Sequence, residues 1–418
     1  MTYKEACDYI ASLRTAGMQM GLERMERGVE ALGHPERAFH SVHIAGTNGK
    51  GSTAYMIAAM LQSGGYSVGR YTSPYLTTYR DMLWIDGELL SEEEFAACTD
   101  TVRNAVPTGL SEYECLTLIA FEAFRRRGVR IAVIECCLGG LTDATNVIPA
   151  PLCAVFTPIA RDHTAILGET VEEIALQKSG IAKPPCDIVC APSMDEGALG
   201  IVYEKAALGG QRIYQPSFPA EPPNVTASGT HFVWNRRDVS LRMLGAHQAE
   251  NALTALQTIQ CLCRHGYAVE DDTAVAALQA VTLPCRQELV SDDPWILLDG
   301  AHNPHGIRAL TTLLQQLDRT PVTLVIGMLS DKDADQCLSM LKPYCEQILC
   351  CTPPNTARAL AADRLAAVAR RYHDNVTVCD DPIQALENAK KATRHPIVVG
   401  GSFYTANAVR QALLSQNT

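Results

Sequence analysis

A glycine-rich turn near the N-terminus restricts the fold of this chain more than any other segment. The turn reads GTNGKGS over residues 46–52; it follows a strand-like segment at 39–45 and leads into a helix-like stretch at 50–63. Glycines let such a backbone curl until several N–H groups point at one phosphate group beside a helix N-terminus. The segment therefore predicts a strand, a phosphate-binding loop and a helix, in that order, within an α/β fold.

The polar residues of this turn predict a nucleotide site. Lys50 would neutralise the β- and γ-phosphates, and the Ser52 hydroxyl would ligate Mg²⁺. The strict phosphate-loop pattern is broken, because Ile44 stands where the first glycine is expected and Gly51 separates Lys50 from Ser52. A glycine-rich turn that only begins a helix is the alternative interpretation. The turn alone does not decide between them.

Strand-like and helix-like segments alternate through most of the chain, which is typical of a largely parallel sheet with helices on both faces. The first part predicts strands at 39–45, 129–135 and 152–156, with helices at 50–63, 91–106, 111–127, 171–182 and 247–263. A loop at 215–230 leads into a predicted hairpin at 231–234 and 239–243.

The alternation restarts after Pro284, with predicted strands at 295–298, 323–326, 347–350, 376–379 and 396–399. A chain of 418 residues exceeds the size at which a single core stops growing. We therefore expect two domains, an ATP-binding domain at 1–284 and a smaller Rossmann-like α/β domain at 285–418.

Composition excludes several classes of function. The chain has 35 basic and 46 acidic residues, a net charge of −11, which argues against nucleic acid as a partner. No apolar run approaches the roughly 20 residues of a membrane span, and the first ten residues, which include Glu5 and Asp8, do not resemble a secretory signal. The 16 cysteines contain no C-x-x-C pair, which favours free thiols in a reducing compartment. We expect a soluble, cytoplasmic protein.

Four further positions carry chemistry. Glu135 ends a predicted buried strand, where a carboxylate facing a phosphate loop would ligate a hard divalent cation; a capping or ion-paired carboxylate is the alternative. Lys178 would add positive charge near phosphates, but an ammonium cannot ligate a metal; a surface lysine on the outer face of its helix is the alternative. His247 and Asn251 are spaced i, i+4 and share a helix face.

Several dispersed motifs resemble one family. The segment HIAGTNGKGST resembles the nucleotide loop of the Mur ligase superfamily, and its Lys-Gly-Ser ending resembles the folylpolyglutamate synthase and dihydrofolate synthase branch. Other motifs of that branch follow in order: YTSPYL at 71–76, ECCLGGLTDATN at 135–146, Asp162-His163, KSGI at 178–181, GAHQ at 245–248 with Asn251, Arg286, DGAHNP at 299–304 and GMLSDKD at 327–333.

The resemblance implies a role for individual residues. His163 would ligate a second Mg²⁺, and Lys178 would be carbamylated by CO₂, which turns a cation into an oxygen ligand. ATP would be contacted by Gly46, Thr47, Asn48, Gly49, Lys50, Gly51 and Ser52, by Asn251 and Gln248 at the adenine, by Arg286 at a phosphate and by Asp299 at the ribose. Ser73, Pro74 and Tyr75 would belong to a substrate loop. His302 is a candidate for positioning or deprotonating an amine, although DGAHNP read alone could be a turn whose Asn303 caps a helix.

The implied activity is ATP-dependent ligation. The γ-phosphoryl group would pass to a substrate carboxylate, and glutamate would attack the acyl phosphate to form an amide. The expected partners are small molecules: ATP, L-glutamate and dihydropteroate or a reduced folate, bound by a monomer. Alternatives are another Mur-type amino-acid ligase with a different carboxylate acceptor, a P-loop small-molecule phosphotransferase, and a non-catalytic homologue that only binds.

Four positions depart from the family pattern. Tyr75 replaces the usual histidine, Cys137 replaces a glycine, and Met82 and Leu141 stand where arginines are usual, Met82 directly after Asp81. We expect Tyr75 to stack on a pterin ring. Met82 cannot supply the charge or the bidentate bond of the usual arginine, so we expect weaker binding of a carboxylate-bearing acceptor, and Met82→Arg should improve polyglutamylation more than dihydropteroate ligation.

Overall fold

The computed structural model describes residues 1–16, 21–106, 108–392 and 394–416. The chain forms two compact units, Met1–Phe218 with Glu250–Gln279 (the first unit) and Pro219–Ala249 with Ala280–Thr418 (the second unit). The predicted boundary at 284/285 placed residues 219–249 in the first domain. In the division into compact units that segment groups with the second unit, where Leu244 is buried in the apolar core and Val225 packs against it, and the domain boundary at 284/285 stays a prediction.

The first unit is built on a sheet whose strand order is β4-β3-β2-β5-β1-β6-β7-β8. Six neighbouring strands of this sheet run parallel, in the order β2, β5, β1, β6, β7 and β8. Strands β3 and β4 extend the sheet beyond β2 by antiparallel pairing. Their bounds are β1 His40–Ala45, β2 Val68–Tyr71, β3 Leu83–Ile85, β4 Glu88–Leu89, β5 Ile131–Glu135, β6 Cys153–Phe156, β7 Asp187–Cys190 and β8 Ile213–Tyr214. Strands β5, β6 and β7 are buried along their whole length, as near-continuous apolar runs in a parallel sheet require.

Helices cover both faces of this sheet. They are α1 Tyr3–Ser12, α2 Glu23–Ala31, α3 Lys50–Ser63, α4 Glu92–Ala105, α5 Glu112–Arg126, α6 Thr164–Leu167, α7 Val171–Ser179, α8 Glu196–Gly209, α9 Ala246–Cys263 and α10 Asp271–Ala280. Short 3₁₀ turns lie at Leu13–Ala16, Pro35–Arg37, Tyr79–Met82 and Ala144–Val147. Capping boxes begin α4 at Ser91 and α5 at Ser111, and Thr170 begins α7 in the same way. The boundary between the two units falls inside α9, after Ala249.

The second unit contains two sheets. Strands β9 Asn224–Thr226, β10 Gly229–Trp234 and β11 Arg237–Leu241 form an antiparallel meander. The larger sheet has the order β12-β13-β17-β14-β15-β16 and is parallel except for β12. Its strands are β12 Glu288–Asp292, β13 Trp295–Leu298, β14 Val322–Ile326, β15 Cys345–Cys350, β16 Val376–Val378 and β17 Ile397–Gly400. Its helices are α11 Pro304–Gln316, α12 Ala334–Leu341, α13 Ala362–Ala369, α14 Pro382–Ala392 and α15 Phe403–Gln416, with a 3₁₀ turn at Lys342–Tyr344.

The predicted α/β architecture is confirmed, and most predicted elements end within two residues of the observed ones. The helix predicted at 171–182 ends earlier, at Ser179. All 16 cysteines lie in the described ranges and carry free thiols. Among the helices of the described ranges, none is long and apolar enough to cross a membrane.

Candidate functional site

Two glycines determine the shape of the turn between β1 and α3. Gly46 has a φ of 152° and Gly49 a φ of 87°, both in the region that disfavours other residues. A Cβ at Gly46 would lie 1.9 Å from Thr157 Oγ1, and a Cβ at Gly49 would lie 2.3 Å from Asn251 Oδ1. Glycine is therefore required at both positions, by conformation and by space.

Thr47 fastens the turn to the segment that follows β6. Its N–H donates to Pro158 O at 2.9 Å, its hydroxyl donates to Ala160 O at 2.9 Å, and the same hydroxyl oxygen accepts from the Ala160 N–H at 3.0 Å. The segment from Pro158 to Ala160 leads directly to His163. The phosphate loop and the candidate metal ligand His163 thus share one backbone scaffold.

Two lysine amines meet at one carbonyl oxygen of the loop. Lys50 Nζ donates to Gly46 O at 3.1 Å and to Thr47 O at 3.2 Å, and Lys178 Nζ donates to Gly46 O at 2.8 Å. Lys178 is buried in the last turn of α7, so the alternative of a surface lysine is wrong. Burial, together with the nearby charge of Lys50, lowers the pKa of Lys178 to about 7.

Glu135 ends β5 and faces the first turn of α3. Its side chain is buried, and its Oε2 accepts from the Ser73 N–H at 3.2 Å. A Cβ at Gly51 would lie 3.5 Å from the same oxygen. Ser52, in the same turn of α3, is also buried. The carboxylate therefore adjoins both the phosphate loop and the backbone of the predicted substrate loop.

Arg70 brings a further positive charge that the sequence analysis did not identify. It pairs in register with Val133, two residues before Glu135 on the same face of the sheet. The side chain is buried, and its guanidinium carbon lies 3.3 Å from the centre of the Tyr55 ring on α3. Burial lowers the pKa of Arg70, while Tyr55 and Glu135 oppose that shift. The sequence offered one signal for this residue, which is an arginine inside the short segment VGRY.

The loop after β5 supports Lys178 through its backbone. The Leu141 N–H donates to Gln177 O at 2.7 Å, and Asn146 Nδ2 donates to Gly180 O at 3.3 Å. A Cβ at Gly140 would lie 2.6 Å from Lys178 O, so the loop packs directly on the end of α7. The Leu141 side chain is 47% exposed and takes no part in these contacts.

Two of the candidate metal ligands, Ser52 and Glu135, offer oxygen donors suited to Mg²⁺, whereas the third, His163, offers a ring nitrogen. Over the described ranges, no three His, Cys, Asp or Glu side chains gather into a ready-made metal site. Ser52 and Glu135 lie at the same end of the sheet, whereas His163, with a φ of 52°, precedes α6. Mg²⁺ commonly takes only one or two protein ligands and completes its shell with water and substrate phosphates. This donor set therefore fits Mg²⁺.

Asp81 organises the predicted substrate loop, which covers residues 72–81. Its Oδ2 accepts from the N–H groups of Leu76 at 3.2 Å, Thr77 at 2.6 Å and Thr78 at 2.9 Å. Pro74, at the tip of the predicted substrate triad, is exposed. One carboxylate thus holds three consecutive backbone amides and sets the path of the loop.

Tyr75 is held by a polar cluster that the sequence analysis missed. Arg14 donates to the Tyr75 hydroxyl at 2.6 Å and to Glu112 Oε1 at 2.8 Å, and the Tyr79 hydroxyl donates to the same carboxylate at 2.6 Å. The rings of Tyr75 and Tyr79 meet edge to face with centroids 4.9 Å apart. No local pattern connects Arg14 with Tyr75. Stacking of Tyr75 on a pterin stays a prediction.

Position 82 does not face a ligand. Met82 is 2% exposed and belongs to the apolar core of the first unit, with Tyr79, Leu83 and Phe95. Burial of Met82 in this core argues against a direct acceptor contact at the position, and the benefit of Met82→Arg stays a prediction. The backbone explains the position, since Thr72 N–H donates to Met82 O and turns the side chain into the core.

The predicted residues of the second unit gather at the carboxyl end of β13. Asp299 is buried, its Oδ1 accepts from the Ala301 N–H at 3.2 Å, and burial raises its pKa to about 6 against the opposing charge of Arg286. His302 Nδ1 lies 2.7 Å from Gly300 O. Because a carbonyl only accepts, Nδ1 carries the proton and Nε2 is the acceptor of the neutral ring.

Asn303 and His247 complete this group. Asn303 Oδ1 accepts from the Gly306 N–H at 2.8 Å and caps α11, so the capping interpretation holds for this residue. His247 is half-buried, and desolvation together with the charge of Arg286 lowers its pKa to about 4. Gln248 and Asn251 are buried on α9. Asn251 lies beside Gly49 of the phosphate loop, and a contact with adenine stays a prediction for both residues.

Comparison with known proteins gives matches along almost the whole chain. Residues 44–259 match the Mur ligase middle domain, and residues 285–403 match the Mur ligase glutamate ligase domain. A folylpolyglutamate synthase of Lacticaseibacillus casei is 32% identical over 99% of both chains. A dihydrofolate synthase/folylpolyglutamate synthase of Bacillus subtilis is 32% identical over 98% of this chain and 99% of the relative.

Solved structures give the same result. Mycobacterium tuberculosis folylpolyglutamate synthase complexed with ADP and AMPPCP superposes with a TM-score of 0.89, 29% identity, and coverage of 98% of this chain and 99% of that one. Escherichia coli FolC in complex with DHPP and ADP has a TM-score of 0.88 and 28% identity, and the match covers 100% of this chain and 99% of that one.

Proposed function

The chain belongs to the folylpolyglutamate synthase and dihydrofolate synthase family of Mur ligases, and from this premise we propose that it joins glutamate to the carboxylate of a pterin-bearing acceptor at the expense of ATP. The observation that carries the proposal is the convergence of Lys50 and Lys178 on Gly46 O, within a loop that two glycines constrain. The Lys50 ammonium is thereby placed where a triphosphate would lie against the helix N-terminus, with the Lys178 amine beside it.

In the first step, a carboxylate oxygen of the acceptor attacks the γ-phosphorus of ATP. The bond from that phosphorus to the bridging oxygen breaks, ADP leaves, and an acyl phosphate forms. Lys50 offsets the charge that develops on the transferred group, and the N–H groups of the loop are already oriented before the reaction. Arg286 would contact a phosphate and Asp299 the ribose, whereas Asn251 and Gln248 would contact the adenine.

Ser52 and Glu135 would hold one Mg²⁺ and His163 would help to hold a second. Such ions, when bound, neutralise phosphate charge and align the reacting groups. The burial of Glu135 beside the first turn of α3 supports this proposal, because it places a carboxylate oxygen next to the phosphate loop, where a hard divalent cation takes oxygen ligands. Arg70 adds a permanent positive charge on the same face of the sheet.

We also propose that Lys178 carries a carbamate. Its amine is buried, and it lies in a pocket shared with Lys50 rather than in solvent. A neutral amine is the form that attacks CO₂, and a pKa of about 7 leaves much of Lys178 neutral at physiological pH. The test is a ¹³C NMR spectrum of protein incubated with ¹³C-bicarbonate. A carbamate signal that is absent in Lys178→Ala is expected; no difference between the two proteins would contradict the modification.

In the second step, the amino group of glutamate attacks the acyl carbon and phosphate leaves as the amide forms. His302 would accept a proton from that amine through Nε2, since its Nδ1 proton is committed to Gly300 O. The protonation state of Nδ1 thus suits a base better than an acid.

For the acceptor we propose both dihydropteroate and a reduced folate that already carries glutamate, bound with Tyr75 against the pterin. We further propose that the protein acts as a cytoplasmic monomer.

The decisive experiment supplies ATP, Mg²⁺ and glutamate with a panel of pterin acceptors and identifies products by mass spectrometry. Glutamylated acceptor formed in step with ADP and phosphate is expected. A phosphorylated acceptor that accumulates without regard to glutamate would instead make the protein a phosphotransferase, and ATP binding without any glutamylated pterin would indicate a different carboxylate acceptor.

A further inference from the structure

Phe403, the first residue of α15, lies among the candidate site residues of the second unit. The guanidinium carbon of Arg286 is 4.2 Å from the centre of the Phe403 ring. The His302 ring meets the same phenyl ring at a centroid distance of 6.4 Å and an interplanar angle of 63°. One aromatic side chain therefore contacts both the residue proposed to bind an ATP phosphate and the residue proposed to act on the amine.

The ring itself is held rigidly. A Cβ at Gly300 would come within 2.5 to 2.7 Å of three ring carbons of Phe403, so the ring packs directly on the backbone between Asp299 and Ala301. The start of α15 is also fastened, because Ser402 Oγ accepts from the Thr405 N–H at 3.1 Å and Thr405 Oγ1 donates to Gly327 O at 3.0 Å. Phe403 is thus a fixed surface rather than a mobile side chain.

A fixed aromatic face has a specific effect on arginine. The ring quadrupole attracts the planar guanidinium and favours a parallel arrangement, which removes rotamers that a long side chain would otherwise sample. The edge-to-face contact restricts the His302 ring in the same way, in addition to its bond to Gly300 O. Leucine would fill much of the volume but has no face to present to a cation.

We propose that Phe403 is a positioning residue, which holds Arg286 and His302 in the orientation that ATP binding and amide formation require. This inference rests on the roles proposed above for Arg286 and His302. Phe403, whose side chain has no polar atom, thereby has a specific part in the reaction.

The test is a double-mutant cycle read by calorimetric affinity for AMPPCP, which requires no knowledge of the acceptor. Phe403→Leu should weaken binding about 2- to 30-fold, the range expected from loss of a cation–π contact. Phe403→Tyr should stay within about 2-fold of the unchanged protein, because the face is kept. In an Arg286→Ala background, Phe403→Leu should change the affinity less than about 2-fold, since the ring acts through that arginine.

Tyr372→Leu is a matched control. It removes an aromatic ring from Arg371, whose guanidinium carbon lies 5.8 Å from the ring centre, elsewhere in the second unit. This change should leave AMPPCP affinity unaltered, and thermal melting should show both leucine variants folded. If Phe403→Leu lowers the affinity for AMPPCP by the same factor with Arg286 present and with Arg286→Ala, the positioning role is overturned. The ligase proposal would remain intact. Unaltered affinity in Arg286→Ala itself would overturn both that role and the phosphate contact proposed for Arg286.

Discussion

Two loops at the carboxyl edge of the first sheet are held in opposite ways. The phosphate loop at 46–52 depends on its own backbone, through two glycines that admit no side chain and the bonds of Thr47. The substrate loop at 72–81 depends on side chains, namely Asp81, which accepts from its backbone amides, and Arg14, which donates to Tyr75. A backbone conformation that requires glycine tolerates few substitutions, whereas a loop held by side-chain hydrogen bonds can change one residue at a time. Tyr75 and Met82, two of the four departures from the family pattern, lie in or next to the substrate loop, and none of the four lies at 46–52.

The largest expected effect lies in the phosphate loop. Lys50→Ala should lower turnover at least ~10³-fold, about 4 kcal/mol of barrier, because its ammonium neutralises the transferred phosphoryl group. Steady-state kinetics with the preferred acceptor would measure it. Lys4→Ala, at a lysine that is 84% exposed, should be unaltered. Near-normal turnover in a folded Lys50→Ala protein would remove the basis for the phosphate-loop assignment.

Removal of the Lys178 side chain should lower turnover, and small carboxylic acids should restore part of it. Lys178→Ala should fall at least ~10²-fold in turnover, equivalent to about 2.7 kcal/mol, and added short carboxylic acids should restore part of the rate by replacing the carbamate. Lys183→Ala offers a comparison, because this neighbouring lysine also bonds to a backbone carbonyl, Asn146 O at 2.7 Å. Rescue of neither variant, or of both alike, would contradict a specific carbamate at Lys178.

Arginine substitutions at positions 82 and 141 compare a buried position with an exposed one. Met82→Arg should reduce the free energy of unfolding by about 3 kcal/mol or more, since it places a charge in an apolar core. Leu141→Arg should change it by no more than about 0.5 kcal/mol, because position 141 is 47% exposed. Chemical denaturation measures both. Equal stability of the two variants would mean that position 82 is not part of the core.

The smallest expected effect concerns the fastening of the substrate loop. Asp81→Ala should raise the KM for the acceptor about 3- to 30-fold, because three backbone amides lose their acceptor, while the KM for ATP stays within about 2-fold. Asp86→Ala is the control, since its carboxylate also accepts from a backbone amide, that of Val68 at 2.6 Å, outside the loop. A rise in the KM for ATP equal to that for the acceptor would show that the two loops are not held independently.

Several elements were predictable because their signals are local. The phosphate loop, α3 and the start of α5 depend on glycines, an apolar run and a Ser-x-x-Glu cap within a few residues. Strand β2 was not predicted, because Gly69 and Arg70 interrupt its apolar character. Pairing with β5 on one side and β3 on the other makes it a strand.

The sequence by itself determined which chemical groups are present and the local backbone that presents them, including the glycine turn, the strand ends at Glu135 and Asp299, and the cap at Asn303. Tertiary structure alone decided which distant groups meet. Lys178 reaches Gly46 across 132 residues, Arg14 reaches Tyr75 across 61, and Met82 turns inward although its neighbours form a surface loop. The physical reason is that φ, ψ and capping depend on adjacent residues, whereas burial and long-range contacts depend on the path of the whole chain.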